Sequence, residues 1–386
     1  IEVSGRVKGN WYSDFQYRVV DDINITANDT LVIEAGTTIL FMGDYGLEVF
    51  GSLIAIGTET DSIYFSSGQP LRATGDWKNI NIKSSNNYEH ALSRKITLQY
   101  CNISFGGSST YMFYDERTFD SENYYNLGQN LSSVNIYNCH FHDSQSGLLS
   151  SYYSRINIEN SKFDGLRSGI AVNIYGTWDA KFLNNQVLWS EGVSEYNNLF
   201  YFVINNENWA DVSKKFEVKN NFFKTKRNVG EMYNNGSTSS IDSMIVQNNI
   251  FTSSDYKDQL IFLTRGNNYT IVSDNLITQD SYESCCGHGI RTYDNDKSII
   301  RNNNINNHYN AFRLGNNSST VIENNLLTDL RYVFDLQGNA TQSTIQNNII
   351  NFNEGLFSSG QLSGLPIGFS DVITINANGD SIDTYA

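Results

Sequence analysis

The sequence predicts an all-β solenoid of about a dozen stacked parallel coils. Three observations predict it. One frame, apolar–x–Asn–Asn–x–apolar, recurs between residues 96 and 350. Its copies lie about 22 to 28 residues apart, with two longer gaps. Apolar residues alternate over short runs and almost never fall at helical spacing. Clear copies are INIENSKF (156–163), FEVKNNFF (216–223), MIVQNNIF (244–251), IVSDNLI (271–277), IIRNNNI (299–305), VIENNLL (321–327) and TIQNNII (344–350). ITLQYCNISF (96–105) and VNIYNCHF (134–141) keep the frame with Cys at the second Asn position. The chemistry fits a coil that turns sharply between strands. Asn tolerates the left-handed backbone region, and stacked Asn amides can satisfy buried polar groups from one coil to the next.

The flanks of the repeat differ. TLVIEAGTTILFMGDYGLEVFGSLIAIGTETDSIYFSS (30–67) alternates apolar and polar residues with Gly at its turns, so residues 1–70 are expected to be capping coils. Residues 71–355 form the main ladder, interrupted by two aromatic-rich insertions. The first, 105–133, carries Tyr111, Phe113, Tyr114, Phe119, Tyr124 and Tyr125. The second, 187–213, carries Trp189, Tyr196, Phe200, Tyr201, Phe202 and Trp209. Their aromatics either stack on sugar rings or cover the side of the solenoid. Residues 356–386 lose the Asn pairs and end on the strand-like VITINA (372–377). This tail caps its own tube or pairs with another molecule to build a fibre. Trp77, in GDWKNI, reads as a packing residue.

GDWKNINI (75–82), the alternating first 70 residues and the Asn-pair rungs together resemble the right-handed parallel β-helix, the pectate-lyase-like repeat superfamily. The resemblance spans most of the chain. It implies the fold. For function it implies only a range, from lyases and glycosidases to adhesins and passive surface proteins.

Composition narrows the partners. The 386 residues carry a net charge of −15 and a pI near 4.7, which disfavours nucleic acid. No apolar run is long enough to span a membrane as a helix. A start at Ile1 rather than Met suggests a removed leader, and an extracellular or cell-surface location is expected. Nine Asn-X-Ser/Thr sequons, at Asn24, Asn28, Asn102, Asn130, Asn235, Asn268, Asn316, Asn317 and Asn339, are glycosylation candidates, although about 50 Asn generate about that many by chance. Cys101 and Cys139 hold one rung position in consecutive coils, where Cα atoms stand about 4.8 Å apart, so a Cys101–Cys139 disulfide is expected. Cys285 and Cys286 are left to pair with each other or to stay as thiols. No cofactor is required by the sequence. Ca²⁺ at a run such as Asp294-Asn295-Asp296 competes with a solvated turn.

The unusual stretch is SCCGHGIRTYDN (284–295). In GIAVNIY (169–175), GIRTYDN (289–295), AFRLGNN (311–317) and VFDLQGN (333–339), Ile170, Ile290, Phe312 and Phe334 are expected to point inward. Alternation then sends Arg291, Arg313 and Asp335 outward in one column. His288, Tyr293, His308, Tyr309, Arg331 and Tyr332 stand nearby, with Arg265 as a further cation. Gly287-His288-Gly289 is similar to a polygalacturonase signature, with Phe312-Arg313-Leu314 as a faint second match. The family's Asn-Thr-Asp and Asp-Asp are absent, and Lys257-Asp258-Gln259 is the nearest substitute. A lyase would use Arg291 and Arg313 against a uronate carboxylate, and His288 or Tyr293 as base. The candidate catalytic set is therefore His288, Arg291, Tyr293, Arg313 and Asp335. The candidate saccharide contacts are Arg291, Arg313, His308, Tyr309, Tyr332, Trp189 and Trp209. The competing reading is that the Arg column pairs with Asp294, Asp296, Asp329 and Asp335 for stability alone. At the level of the whole chain, polysaccharide binding, with or without cleavage, stands against a structural or adhesive surface component.

Overall fold

The computed structural model describes residues 1–83, 94–116, 133–152, 155–175, 179–189, 199–204, 215–226, 230–234, 243–254, 261–264, 269–280, 287–292, 298–315, 320–336, 343–359, 369–370, 373–376 and 381–382. Among them there is no helix, and nearly every strand pairs in parallel with strands of the coils before and after it. The fold is a parallel β-solenoid of about nine turns, slightly fewer than the expected dozen. Contacts divide the chain into two compact units, Ile1–Asn197 and Asn198–Ala386.

Within the first unit a typical coil has three short strands. Ile96–Gln99, Cys101–Ser104 and Phe113–Glu116 make one coil, and Ser133–Tyr137, His140–His142 and Leu149–Tyr152 the next. They stack with residue-to-residue register: Ile96 on Val134, Asn102 on His140, Phe113 on Leu149. The second unit repeats the plan, as in Ser243–Gln247, Ile250–Ser253 and Ile261–Thr264. Alternate side chains fill the tube. Phe141 stacks on Phe163 at 5.1 Å, Phe223 on Phe251 at 4.8 Å and Phe312 on Phe334 at 5.7 Å, all fully buried. Trp77 is a core residue as expected. It is fully buried, lies flat on Phe41 at 4.2 Å and donates its indole N–H to the Ser104 carbonyl at 2.8 Å.

The Asn pair divides its labour. The first member takes the left-handed conformation at the turn: φ is 58° at Asn220, 55° at Asn248, 59° at Asp274, 55° at Asn302, 55° at Asn324 and 54° at Asn347. The second member turns inward and builds an amide ladder. Asn249 donates both its backbone N–H (2.9 Å) and its Nδ2 (3.0 Å) to Asn275 Oδ1. Asn275 does the same to Asn303, Asn303 to Asn325, and Asn325 to Asn348. Each Nδ2 also reaches a carbonyl of the adjoining coil, such as Val218 from Asn249 at 2.9 Å and Val246 from Asn275 at 3.0 Å. In the first unit the ladder runs Cys101, Cys139, Ser161, Asn185: Cys101 N–H donates to Cys139 Sγ, Cys139 N–H to Ser161 Oγ and Ser161 N–H to Asn185 Oδ1.

That arrangement corrects the expected disulfide. Cys101 and Cys139 do occupy adjacent rungs, but both are free, buried thiols. Their sulfurs point the same way and donate to main-chain carbonyls, Cys101 to Gln99 and Cys139 to Tyr137. Burial raises the Cys101 thiol far above its ordinary range, so it stays protonated. Cys285 and Cys286 lie outside the described residues.

Two further expectations change. Ile170 is half-exposed and precedes its strand; Val172 and Ile174 point inward instead. Parts of both presumed insertions belong to the ladder. Phe113 lies in the strand Phe113–Glu116, and Phe200 and Phe202 lie in Phe200–Ile204, all three fully buried. Phe119, Tyr124, Tyr125, Tyr196 and Trp209 lie outside the described residues. In the tail, Ile373–Asn376 stacks in parallel on Ile349–Phe352 and pairs antiparallel with Ser381–Ile382. Among the described residues, Ile373–Asn376 is thus paired on both sides by the chain's own backbone.

Two stability outcomes follow. Asn275→Ala strands the Asn249 donors in the interior and should cost about 3 kcal/mol in chemical denaturation, whereas Asn248→Ala, at the left-handed turn, should cost about 1 kcal/mol. Similar losses at both sites would contradict the division of roles. Thiol alkylation with peptide mapping should modify Cys101 and Cys139 only after unfolding; recovery of a linked 101–139 peptide would overturn the free-thiol assignment.

Candidate functional site

The second unit assembles most of the residues singled out above. His288–Arg291, Asn310–Leu314 and the second half of Leu326–Leu336 are parallel neighbours. Their register sets His288 beside Asn310 beside Tyr332, Ile290 beside Phe312 beside Phe334, and Arg291 beside Arg313 beside Asp335. Ile290, Phe312 and Phe334 are fully buried, as the alternation requires. Arg291 and Arg313 are half-exposed. The column is therefore present in the expected order, but Asp335, expected outward, is buried.

Asp335 is its hub. His288 Nε2 lies 3.1 Å from Asp335 Oδ2, and Arg313 Nε lies 3.3 Å from the same oxygen. His288 and Asp335 are only 2% and 7% exposed. Burial is the main force lowering the His288 pKa; Asp335 opposes it, while the Arg313 and Arg291 charges reinforce it. The imidazole is thus held neutral near pH 7. Its Nδ1 is buried and meets no hydrogen-bond partner, and neither does Asn310 Oδ1 beside it.

His308 corrects an expectation. Expected among the saccharide contacts, it is instead fully buried behind this cluster. Neither ring nitrogen meets hydrogen-bond geometry with a partner. Burial, with a smaller repulsion from His288, pushes its pKa down to about 3; the Ile277 backbone opposes this only weakly. A ring sealed in this way touches no ligand at the surface.

Tyr309 and Tyr332 lie on the same flank, half-exposed and edge to face at 5.4 Å. The Arg331 guanidinium sits 5.0 Å from the Tyr309 ring centre and 5.8 Å from that of Tyr332. Glu354 closes the group, accepting from Arg331 at 2.7 Å and from the Tyr332 hydroxyl at 2.5 Å. Trp189 is half-exposed in the first unit, away from the residues of this column in sequence. Tyr293, Arg265, Lys257-Asp258-Gln259, Asp294, Asp296, Trp209 and the expected Ca²⁺ run at 294–296 lie outside the described residues. Among the described residues, no group of three or more His, Cys, Asp or Glu is placed to hold a metal ion. No helix is long and apolar enough to cross a membrane. Of the sequons, Asn24 and Asn102 are half-buried and Asn28 is exposed; Asn130, Asn235, Asn268, Asn316, Asn317 and Asn339 lie outside the described residues.

No family model matches the chain, and no curated protein does. Solved structures similar to it include the periplasmic alginate epimerase AlgG, at 12% identity over 93% of this chain and 76% of that one, TM-score 0.42. A surface adhesin of Streptococcus pneumoniae, PfbA, matches at 12% identity over 98% and 86%, TM-score 0.35. A family 28 exopolygalacturonase of Yersinia enterocolitica matches at 11% identity over 95% and 74%, TM-score 0.27. What the strand pairing establishes is an all-β parallel solenoid. Likeness at this level carries no argument about the chain.

One constellation in this β-helix escaped the reading of the sequence. In the first unit, His140 Nε2 lies 2.8 Å from Asp164, which Lys162 also meets at 2.6 Å. His142 lies 2.7 Å from Asp143 and 3.0 Å from Asn102, and the two imidazoles are 4.3 Å apart. Burial pushes the Asp164 carboxyl up, but hydrogen bonds from His140 and Lys162 outweigh it and bring it down to about 2. The signal available was HFHD (140–143), in which alternation sends both His to one face.

Buried His308 gives a pH outcome. Its folded pKa of about 3 lies below the ordinary 6.5, so the unfolded chain binds the proton first. Its contribution is complete above pH 6.5 and is lost progressively as pH falls toward 3. His308→Leu should therefore flatten the stability profile of the wild type in that window, measured by denaturant melts. An unchanged slope would place the ring in contact with water.

Proposed function

We propose that the chain is an extracellular polysaccharide-binding protein whose Arg291–Arg313–Asp335 flank takes an acidic glycan. One observation carries this reading: two guanidinium groups stand in adjacent rungs, and one of them, Arg313, meets a buried carboxylate that is already shared with His288. Adjacent parallel strands stand about 4.8 Å apart, so the two cations repel unless anions lie close. A planar carboxylate or a sulfate of a sugar chain suits guanidinium forks along such a column. The half-exposed Tyr309 and Tyr332 extend the flank with ring faces.

Arg313→Ala should weaken binding to polygalacturonate or alginate about tenfold in native affinity gels, with little change in melting temperature. Asp335→Asn removes the internal competitor and should retain or tighten binding. Absence of binding by the wild type to acidic chains, with Arg313→Ala melting earlier, would leave the column a structural ion pair and favour the surface-component reading.

A further inference from the structure

The first unit carries a row of tyrosines that the acidic-glycan reading does not use. Tyr111 precedes the strand Phe113–Glu116, Tyr114 lies within it, and Tyr152 and Tyr175 end the strands Leu149–Tyr152 and Val172–Tyr175. These are three successive coils. Tyr114, Ser150 and Asn173 share one column, and Tyr152 stands directly beside Tyr175. Ring centres are 6.3 Å apart from Tyr111 to Tyr114, 6.0 Å from Tyr114 to Tyr152 and 5.8 Å from Tyr152 to Tyr175. All four rings are half-exposed. Gly147 makes the row possible: a Cβ there would sit 2.0 Å from the Tyr111 ring, so only glycine lets that ring lie against the coil.

Asn173 forms the floor. It is 4% exposed, and its Nδ2 donates to Ser150 Oγ at 3.1 Å and to the Tyr152 hydroxyl at 3.0 Å. Its Oδ1 is buried with no hydrogen-bond partner. An orphaned acceptor beneath a set of phenols calls for a donor. The Tyr152 hydroxyl accepts from Asn173, which leaves its own proton to give. The side chains of the row are uncharged. On the same face, Glu48 lies 3.8 Å from Lys83, so those charges answer each other.

We propose that this tyrosine row, with Asn173 as its floor, is a second saccharide site that takes a neutral, hydroxyl-rich polysaccharide chain. Ring faces cover the C–H faces of successive sugars, Asn173 Oδ1 accepts from a sugar hydroxyl, and Tyr152 donates to another. The site shares no residue with the Arg291–Arg313–Asp335 flank, so either can fail without the other.

Native affinity gels of the full chain, cast with laminarin, hydroxyethylcellulose or galactomannan, test it. At least one of these should retard the wild type. Tyr152→Ala with Tyr175→Ala should weaken that retardation about tenfold, and Tyr152→Phe with Tyr175→Phe should keep most of it. Arg313→Ala should leave it unchanged while weakening retardation by polygalacturonate. Should the double Ala variant not fold, titration of the wild type with the retarding polysaccharide must perturb the tyrosine ultraviolet spectrum. No retardation by any of the three overturns the site. So does unaltered retardation of a folded double Ala variant, or a silent tyrosine spectrum; in those cases the row only covers Asn173.

Discussion

The buried amide ladder is the constraint on which the rest depends. A coil that turns sharply between short strands leaves main-chain N–H and C=O groups inside the tube, where each unpaired group is costly. A stacked Asn answers both kinds at once. Its Oδ1 takes the N–H of the neighbouring rung, and its Nδ2 fills a carbonyl, as Asn303 does with Asn275 and Val272. A one-residue slip of any coil would break these bonds and turn the apolar set outward. The ladder therefore holds register as well as stability.

Held register is what makes sites out of columns. Once Ile290, Phe312 and Phe334 are locked inward, the next residue of each strand must fall in one line, and Arg291, Arg313 and Asp335 do, with the two arginines half-exposed and Asp335 buried beside them. The same logic brings Tyr152 onto Tyr175, and His140 between Asn102 and Lys162. Surfaces built in this way run along the axis, in step with the coils. A linear polymer matches that geometry better than a compact ligand does.

The cysteines show how a spacing argument fails. Rung-to-rung Cα separation lies within the range of a disulfide, but parallel stacking keeps the two Cβ atoms about as far apart as the Cα atoms, near 4.8 Å. A disulfide wants its Cβ atoms at about 3.8 Å, with vectors that converge. Cys101 and Cys139 serve the ladder instead, as small side chains whose sulfur accepts or donates weakly where Asn stands in later coils.

What the sequence by itself determined was whatever repeats. The period, the Asn pairs and the alternation were enough to give the solenoid, the inward Ile290, Phe312 and Phe334, and the column that follows from them. A periodic pattern carries its own register, because each rung is compared with the next. What only the tertiary structure decided was what lies between the rungs. Ile170 falls off the inward line because aligning Gly169 with Gly289 sets a frame that no ladder bond enforces. Burial separated His288, which meets Asp335, from His308, which is sealed behind it, although both look alike in the sequence. Phe113, Phe200 and Phe202 read as loop aromatics until the strands around them closed the coil. Tyr152 and Tyr175 became a row with Tyr111 only because Gly147 leaves room for a ring, a fact of space that no single stretch of sequence records.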